Sequence, residues 1–182
     1  MRTTRKKRSH FSTADYASRD GMLTTIWGPS TWHLLHCISF NYPACPTEEQ
    51  KDHYMQFVLS LQHVLPCGKC RSNLVKNFEK VPLTRADMAS RETFSRYIYK
   101  LHECVNQMLH KKSNLTFSDV RDTYEHFRAR CQEQAPPKDA ETGCVKPFYG
   151  KKTKCILRIV PATKKCKTWQ FRKSATLTPV KI

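Results

Sequence analysis

The sequence predicts an all-α bundle followed by a basic, non-helical C-terminal extension. Three observations carry this. Five segments between about residues 28 and 131 repeat apolar side chains at helical spacing, and short links with proline or capping signals separate them. After Cys131 the chain turns to Gln-Glu-Gln-Ala-Pro-Pro-Lys-Asp and the helical period is lost.

The first segment, Gly28 to Asn41, sets Trp32, Leu35 and Ser39 on one line with Leu34 and Ile38 beside them. It stops at Tyr42-Pro43, because a proline restricts the residue before it. Thr47-Glu48-Glu49-Gln50 is a capping-box pattern, and Tyr54, Phe57, Val58, Leu61 and Leu65 follow on one face of a second helix. Pro66 breaks that run. A short third helix opening near Cys67 would turn Leu74, Val75 and Phe78 inward and end before Pro82. A long fourth helix, Arg91 to Lys111, aligns Phe94, Tyr97, Ile98, Leu101, Val105 and Met108, with a basic last turn that suits the helix dipole. Ser118 reads as the N-cap of a fifth segment carrying Val120, Tyr124, Phe127 and Cys131. In the tail, the β-branched run from Cys155 to Val160 suits a single strand.

These signals divide the chain into a basic, flexible N-terminal arm (1–21), a helical domain (22–131) and a basic cysteine-containing extension (132–182). Of the net +17 charge, +4 falls in residues 1–20, +4 in 21–131 and +9 in 132–182. The excess therefore sits at the ends. No apolar run approaches the roughly 18 residues of a membrane span, and the basic start is followed by no apolar stretch or cleavage site, so neither a span nor a secretory signal is expected. Nine cysteines in a chain without such a signal point to metal or redox chemistry in place of a disulfide scaffold.

Pro66-Cys67-Gly68-Lys69-Cys70-Arg71 holds the most informative pair. Two thiols three residues apart at a helix start, flanked by Lys69 and Arg71, lie where unsatisfied amides and positive charge favour a thiolate. The same spacing also serves half of a structural zinc site, or two inert thiols. No βαβ context surrounds it, so a thioredoxin-like owner is not indicated. A dithiol in a helical bundle needs another electron partner, and a flavin is the obvious organic one. Two ring-bearing motifs bear on that: Trp32 and His36 stand one helical turn apart, as do His102 and Asn106. Taken singly, Trp32 is an ordinary core residue and His102 an ordinary surface histidine.

In combination, Trp32-x-x-Leu35-His36, Cys67-x-x-Cys70 and His102-x-x-x-Asn106 resemble, in order and interval, the Erv/ALR family of FAD-linked sulfhydryl oxidases, over about residues 24–131. The closing Tyr124 to Cys131 is most similar to the branch encoded by large cytoplasmic DNA viruses. The resemblance implies a four-helix bundle with a short fifth helix, holding FAD and forming a homodimer. It places Gly28 and Trp32 against the flavin with His36 nearby, and His102 and Asn106 against the adenine half. Lys111 and Lys112 would face the phosphates, although they also suit a helix end. Tyr124 joins the cofactor-binding set.

By the same resemblance Cys67 is the interchange thiol and Cys70 the flavin-facing one. Electrons pass from thiol-containing protein substrates through their disulfide to FAD and then to molecular oxygen, giving hydrogen peroxide. The implied location is the host cytoplasm, in a viral factory, or the virion.

The sequence departs from the cellular members. The disulfide they carry between the helix after the motif and the helix bearing His-x-x-x-Asn has no counterpart around Phe78 and Tyr99, and Cys104 lies on the wrong side of His102 to replace it. Cys37 and Cys45 read as structural thiols. Cys144, Cys155 and Cys166 suit either a brace for the tail or a shuttle that ferries electrons from bulky substrates. The rival reading is a non-enzymatic nucleic-acid or virion-packing protein, suggested by the basic ends and by Phe148, Tyr149, Trp169 and Phe171 among the tail's cations.

Overall fold

The computed structural model describes residues 12–19, 21–132 and 143–149. The α-helices are α1 (Thr13–Tyr16), α2 (Thr24–Phe40), α3 (Glu48–Val64), α4 (Gly68–Lys80), α5 (Arg91–Met108) and α6 (Phe117–Glu125). A 3-10 turn spans Arg85–Met88, and two short strands, β1 (Ala129–Gln132) and β2 (Gly143–Pro147), pair antiparallel. The expected four-helix bundle with a short fifth is therefore corrected to an all-α fold with six helices among the described residues. The additional one is α1, a single turn that Ser12 starts by a reciprocal capping box with Asp15. The two-strand ribbon occupies the end of the segment expected to continue helically to Cys131. The proposed strand at Cys155 to Val160, with Cys155, Cys166, Trp169 and Phe171, lies outside the described residues, as does the side chain of Cys131.

Local chemistry explains most boundaries. Thr47 caps α3 as expected, its hydroxyl accepting from Gln50 N while the Gln50 side chain accepts from Thr47 N. The cap of α6 is Thr116, not Ser118, because the Asp119 carboxylate accepts from the Thr116 amide and hydroxyl, completing another such box. Helix α5 ends at Met108, short of Lys111, because His110 takes a left-handed φ of 54° and Lys111 N turns back to Asn106 O at 2.8 Å. Helix α2 opens a turn earlier than Gly28 and so contains Pro29. No side chain caps that extra turn; tertiary contacts described below hold it.

The core lies between α2, α3, α4 and α5, where Leu35, Tyr42, Val58, Leu74, Met88, Phe94, Tyr97, Ile98 and Leu101 are buried together. The α5 stripe contributes four of these, in register with its sequence period. Tyr42, just after α2, is wholly buried and donates its hydroxyl to Met88 O at 3.0 Å, while Arg91 Nε donates to Tyr42 O. Four side chains that periodicity turns inward, Leu34, Phe57, Val75 and Phe127, are exposed. On α4 the inward position beside Leu74 is taken by Asn77, whose amide finds partners in Cys104 and Met108.

Candidate active site

Cys67 and Cys70 form a disulfide with Cα atoms 5.2 Å apart, and both are half-buried. Cys67 is the N-cap of α4, and its sulfur accepts from Cys70 N at 3.2 Å. The first-turn amides and the flanking cations Lys69 and Arg71 therefore favour negative charge on this pair. The Arg71 guanidinium is anchored by donating to Leu65 O. On the far side, Thr24 Oγ1 at the start of α2 lies 3.8 Å from Cys70 Sγ.

Farther along α2 the ring-bearing residues meet α5 and α6. Trp32 stacks on His102 with centroids 4.0 Å apart and planes 5° from parallel. His36 Nε2 lies 3.0 Å from His102 Nδ1, so one ring donates to the other. Tyr124 of α6 packs on His36 and stacks on Phe40. Burial lowers the pKa of His36 to about 3, with the field of His102 adding to the effect. Burial likewise lowers His102 to about 4, and the Lys111 ammonium presses the same way. Both imidazoles are thus neutral at pH 7, one ring nitrogen on each carrying a proton. Desolvation also pushes the Tyr124 phenol up, keeping it protonated.

One atom in this cluster is unmatched. His36 is 4% exposed, yet its Nδ1 has no hydrogen-bond partner. A buried polar atom left so is costly unless a ligand supplies the partner. Flat stacked rings, neutral imidazoles and that open nitrogen suit a planar heterocycle carrying hydrogen-bonding edges, as the ring systems of a flavin dinucleotide do. Gly28 lies one turn before Trp32, and a Cβ there would meet Thr24 Cγ2 at an ordinary 3.5 Å, so crowding within the chain does not demand glycine. Asn106, one turn after His102, donates to Glu103 Oε1 at 2.9 Å. Lys112 is exposed.

The fold thus brings Trp32, His36, His102 and Tyr124 into one cluster, with Lys111 acting on it through its charge. It places Cys67 and Cys70 at the other end of α2, eight residues or about 12 Å from Trp32 along the helix. Two participants were absent from the sequence reading. His33 Nδ1 lies 3.2 Å from the Tyr124 hydroxyl and its other nitrogen 3.8 Å from Cys37 Sγ. Thr24 touches a sulfur 46 residues away, for which the sequence holds no local signal. Among the described residues, no group of three or more His, Cys, Asp or Glu is arranged to hold a metal ion. A recess of about 260 Å³ beside Phe40, Arg91 and Glu125 opens at the opposite end of α2 from the disulfide and is not part of this site.

Comparison with known proteins decides the family. Residues 29–132, more than half of the chain, match the model of the Erv1 / Alr family. The chain belongs to that family. It is 38% identical over 99 residues to a probable FAD-linked sulfhydryl oxidase of Acanthamoeba polyphaga mimivirus, covering 54% of this chain and 68% of that one. It is 30% identical over 99 residues to the FAD-linked sulfhydryl oxidase of African swine fever virus, covering 54% and 80% respectively. The mitochondrial FAD-linked sulfhydryl oxidase of Saccharomyces cerevisiae is 39% identical over 85 residues, of which the chain spans 43% of the yeast protein's length. Among solved structures, the crystal structure of the yeast Erv1 core superposes with a TM-score of 0.51 at 26% identity, covering 65% of this chain and 92% of that one. Membership classes the protein as a thiol oxidase with the family's FAD-binding domain architecture. Among the described residues, no helix is long and apolar enough to cross a membrane.

Proposed function

We propose that this Erv/ALR enzyme forms disulfides in thiol-containing proteins through Cys67 and Cys70. The observation that carries the reading is the disulfide at the N-terminus of α4, touching the first residue of the helix that bears Trp32 and His36. A substrate thiolate attacks Cys67 Sγ, forming a mixed disulfide and breaking the Cys67–Cys70 bond, so that the electron pair of that bond is left on Cys70. A second substrate thiolate then attacks the substrate sulfur, releasing the substrate disulfide and leaving Cys67 and Cys70 reduced. The Cys70 amide, which already donates to Cys67 Sγ, stabilises Cys67 as the thiolate leaving group.

FAD, when bound, supplies the acceptor for this electron pair and the route to molecular oxygen, with hydrogen peroxide as product. Trp32, His102 and Tyr124 would hold its rings, His36 Nδ1 would gain its missing hydrogen bond, and Gly28, Asn106, Lys111 and Lys112 complete the proposed set. The neutral state of His36 and His102 keeps a second positive charge out of the cluster. Exposed Ile26 and Leu34 on α2, with exposed Met22 and Leu23 just before it, leave an apolar surface that a homodimer would cover. The similarity to viral sulfhydryl oxidases favours the host cytoplasm or the virion as the place of action.

The test is oxygen consumption by the purified, FAD-loaded chain with a small dithiol and with a reduced protein. Cys70→Ser should keep its yellow colour and fall to the uncatalysed rate. Cys67→Ser should leave a Cys70 thiolate beside the flavin and show long-wavelength absorbance. If both variants turned over like wild type, Cys67 and Cys70 would not be the redox pair. A colourless, zinc-containing wild type would sink the reading altogether.

A further inference from the structure

Each sulfur of the redox pair has its own hydrogen-bond donor, and the two donors differ in origin. Cys67 Sγ accepts from the amide of Cys70, within its own helix. Cys70 Sγ has Thr24 Oγ1 at 3.8 Å, on another helix. A disulfide sulfur carries no proton, so the hydroxyl is the donor of this contact. We propose that Thr24 is a positioning residue for the redox step, donating its hydroxyl proton to the Cys70 thiolate, and that residues 21–24 form a clasp holding it there.

The clasp is visible in the backbone. Met22 N donates to Pro66 O at 2.7 Å, joining the segment before α2 directly to the residue before Cys67. Gly21 makes the approach possible: a Cβ at that position would lie 2.8 Å from Pro66 O and 3.0 Å from Cys67 Cα, closer than a side chain tolerates. Trp27 Nε1 reaches back to Met22 O at 3.0 Å and fixes the following turn. With both ends of the segment tied, Thr24 cannot drift from Cys70 when the disulfide opens. Leu23 caps α2 without a side-chain hydrogen bond, so this turn is held by its contact with the redox loop.

The consequence is a bias on the disulfide equilibrium. When a substrate thiolate bonds to Cys67 Sγ and the Cys67–Cys70 bond breaks, the electron pair remains on Cys70 Sγ, and a hydroxyl already beside it needs no rearrangement to donate. A hydrogen bond to a charged acceptor is stronger than one to a neutral sulfur, so Thr24 favours the opened form over the disulfide. Lys69 and Arg71 flank Cys70 on α4, the first exposed and the second anchored on Leu65 O.

The inference rests on the reading that Cys67 and Cys70 cycle between disulfide and dithiol, and the experiment separates the two. The FAD-loaded full chain is equilibrated without oxygen in graded ratios of reduced to oxidised dithiothreitol, and the Cys67–Cys70 state is read by alkylation and mass spectrometry. Thr24→Val should shift the equilibrium constant about tenfold toward the disulfide, about 30 mV for this two-electron couple. Thr24→Ser, which keeps the hydroxyl, should stay near wild type. Gly21→Ala, which must open the clasp, should shift it in the same direction as Thr24→Val. In a Cys67→Ser background, Thr24→Val should also slow alkylation of Cys70 at neutral pH. Equal constants for wild type and Thr24→Val, or an equal shift in Thr24→Ser, would overturn the role of Thr24 alone. A wild-type disulfide that opened at no ratio would overturn the redox reading and this proposal with it.

Discussion

Acidification tests the buried histidine pair. Burial lowers His36 to about 3 and His102 to about 4, whereas an unfolded imidazole titrates near ~6.5. At about pH 5 the unfolded chain therefore binds nearly one proton at each position and the native protein almost none. Each imidazole then costs about 2 kcal/mol of stability relative to pH ~7.5, or about 4 kcal/mol for the pair. The sign is fixed by proton count: the unfolded state binds more protons, so stability falls as pH drops below ~6.5 and the loss levels off near the native values. Desolvation lowers His33 as well and adds in the same direction. The carboxylates whose pKa is lowered by partners, Asp15, Glu48 and Glu125, lose their contribution only below their unfolded values of ~3.9 to ~4.3, outside this window.

Urea unfolding of the FAD-loaded chain across about pH 5 to 7.5, at fixed protein and FAD concentrations, measures the effect. Imidazole proton shifts in the native protein provide an independent reading. A change in stability below about 1 kcal/mol, or either ring titrating near ~6.5 in the folded state, would refute the neutral buried pair.

Three more outcomes are expected. Helices α4 and α5 meet at Cys104 through a thiol donating to Asn77 Oδ1 at 3.5 Å and not through a disulfide, so mild reduction without oxygen should leave FAD bound. Trp32→Ala, by contrast, should release it into an ultrafiltrate, since an aromatic pair contributes ~0.5 to 1.5 kcal/mol beyond its burial; normal FAD content in that variant would place the cofactor elsewhere. At the ribbon, Arg130 already lies over the Phe148 ring at 4.6 Å and Tyr149 is exposed, a basic and aromatic surface suited to single-stranded nucleic acid. The full chain should bind a single-stranded oligonucleotide in a salt-dependent manner, weakened by Phe148→Ala; binding unaffected by salt, or none, would remove this accessory role.

Cys144 is disulfide-bonded, which both a brace and a shuttle require, while Cys155 and Cys166 fall outside the described residues. Cys45 and Cys104 are free thiols, and Cys37 lies against His33.

The sequence by itself determined what depends on near neighbours. The apolar stripe of α5, the capping box at Thr47 and the helix opening at Cys67 all follow from side chains three or four residues apart, which share a face or reach the same amides. The three ordered motifs carried the family for the same reason: each is a local pattern. Even here a short-range signal misled: Ser118 reads as the cap of the last helix, but Thr116 caps it, because the box needs Asp119 three residues after the cap. The tertiary structure alone decided what depends on distant segments meeting. The extra turn of α2, the neutrality of His36 and His102, the position of His33 on Tyr124 and the Thr24 contact with Cys70 have no trace in spacing. Desolvation and through-space hydrogen bonds are properties of packed surroundings, and a chain acquires those only when its helices are brought together.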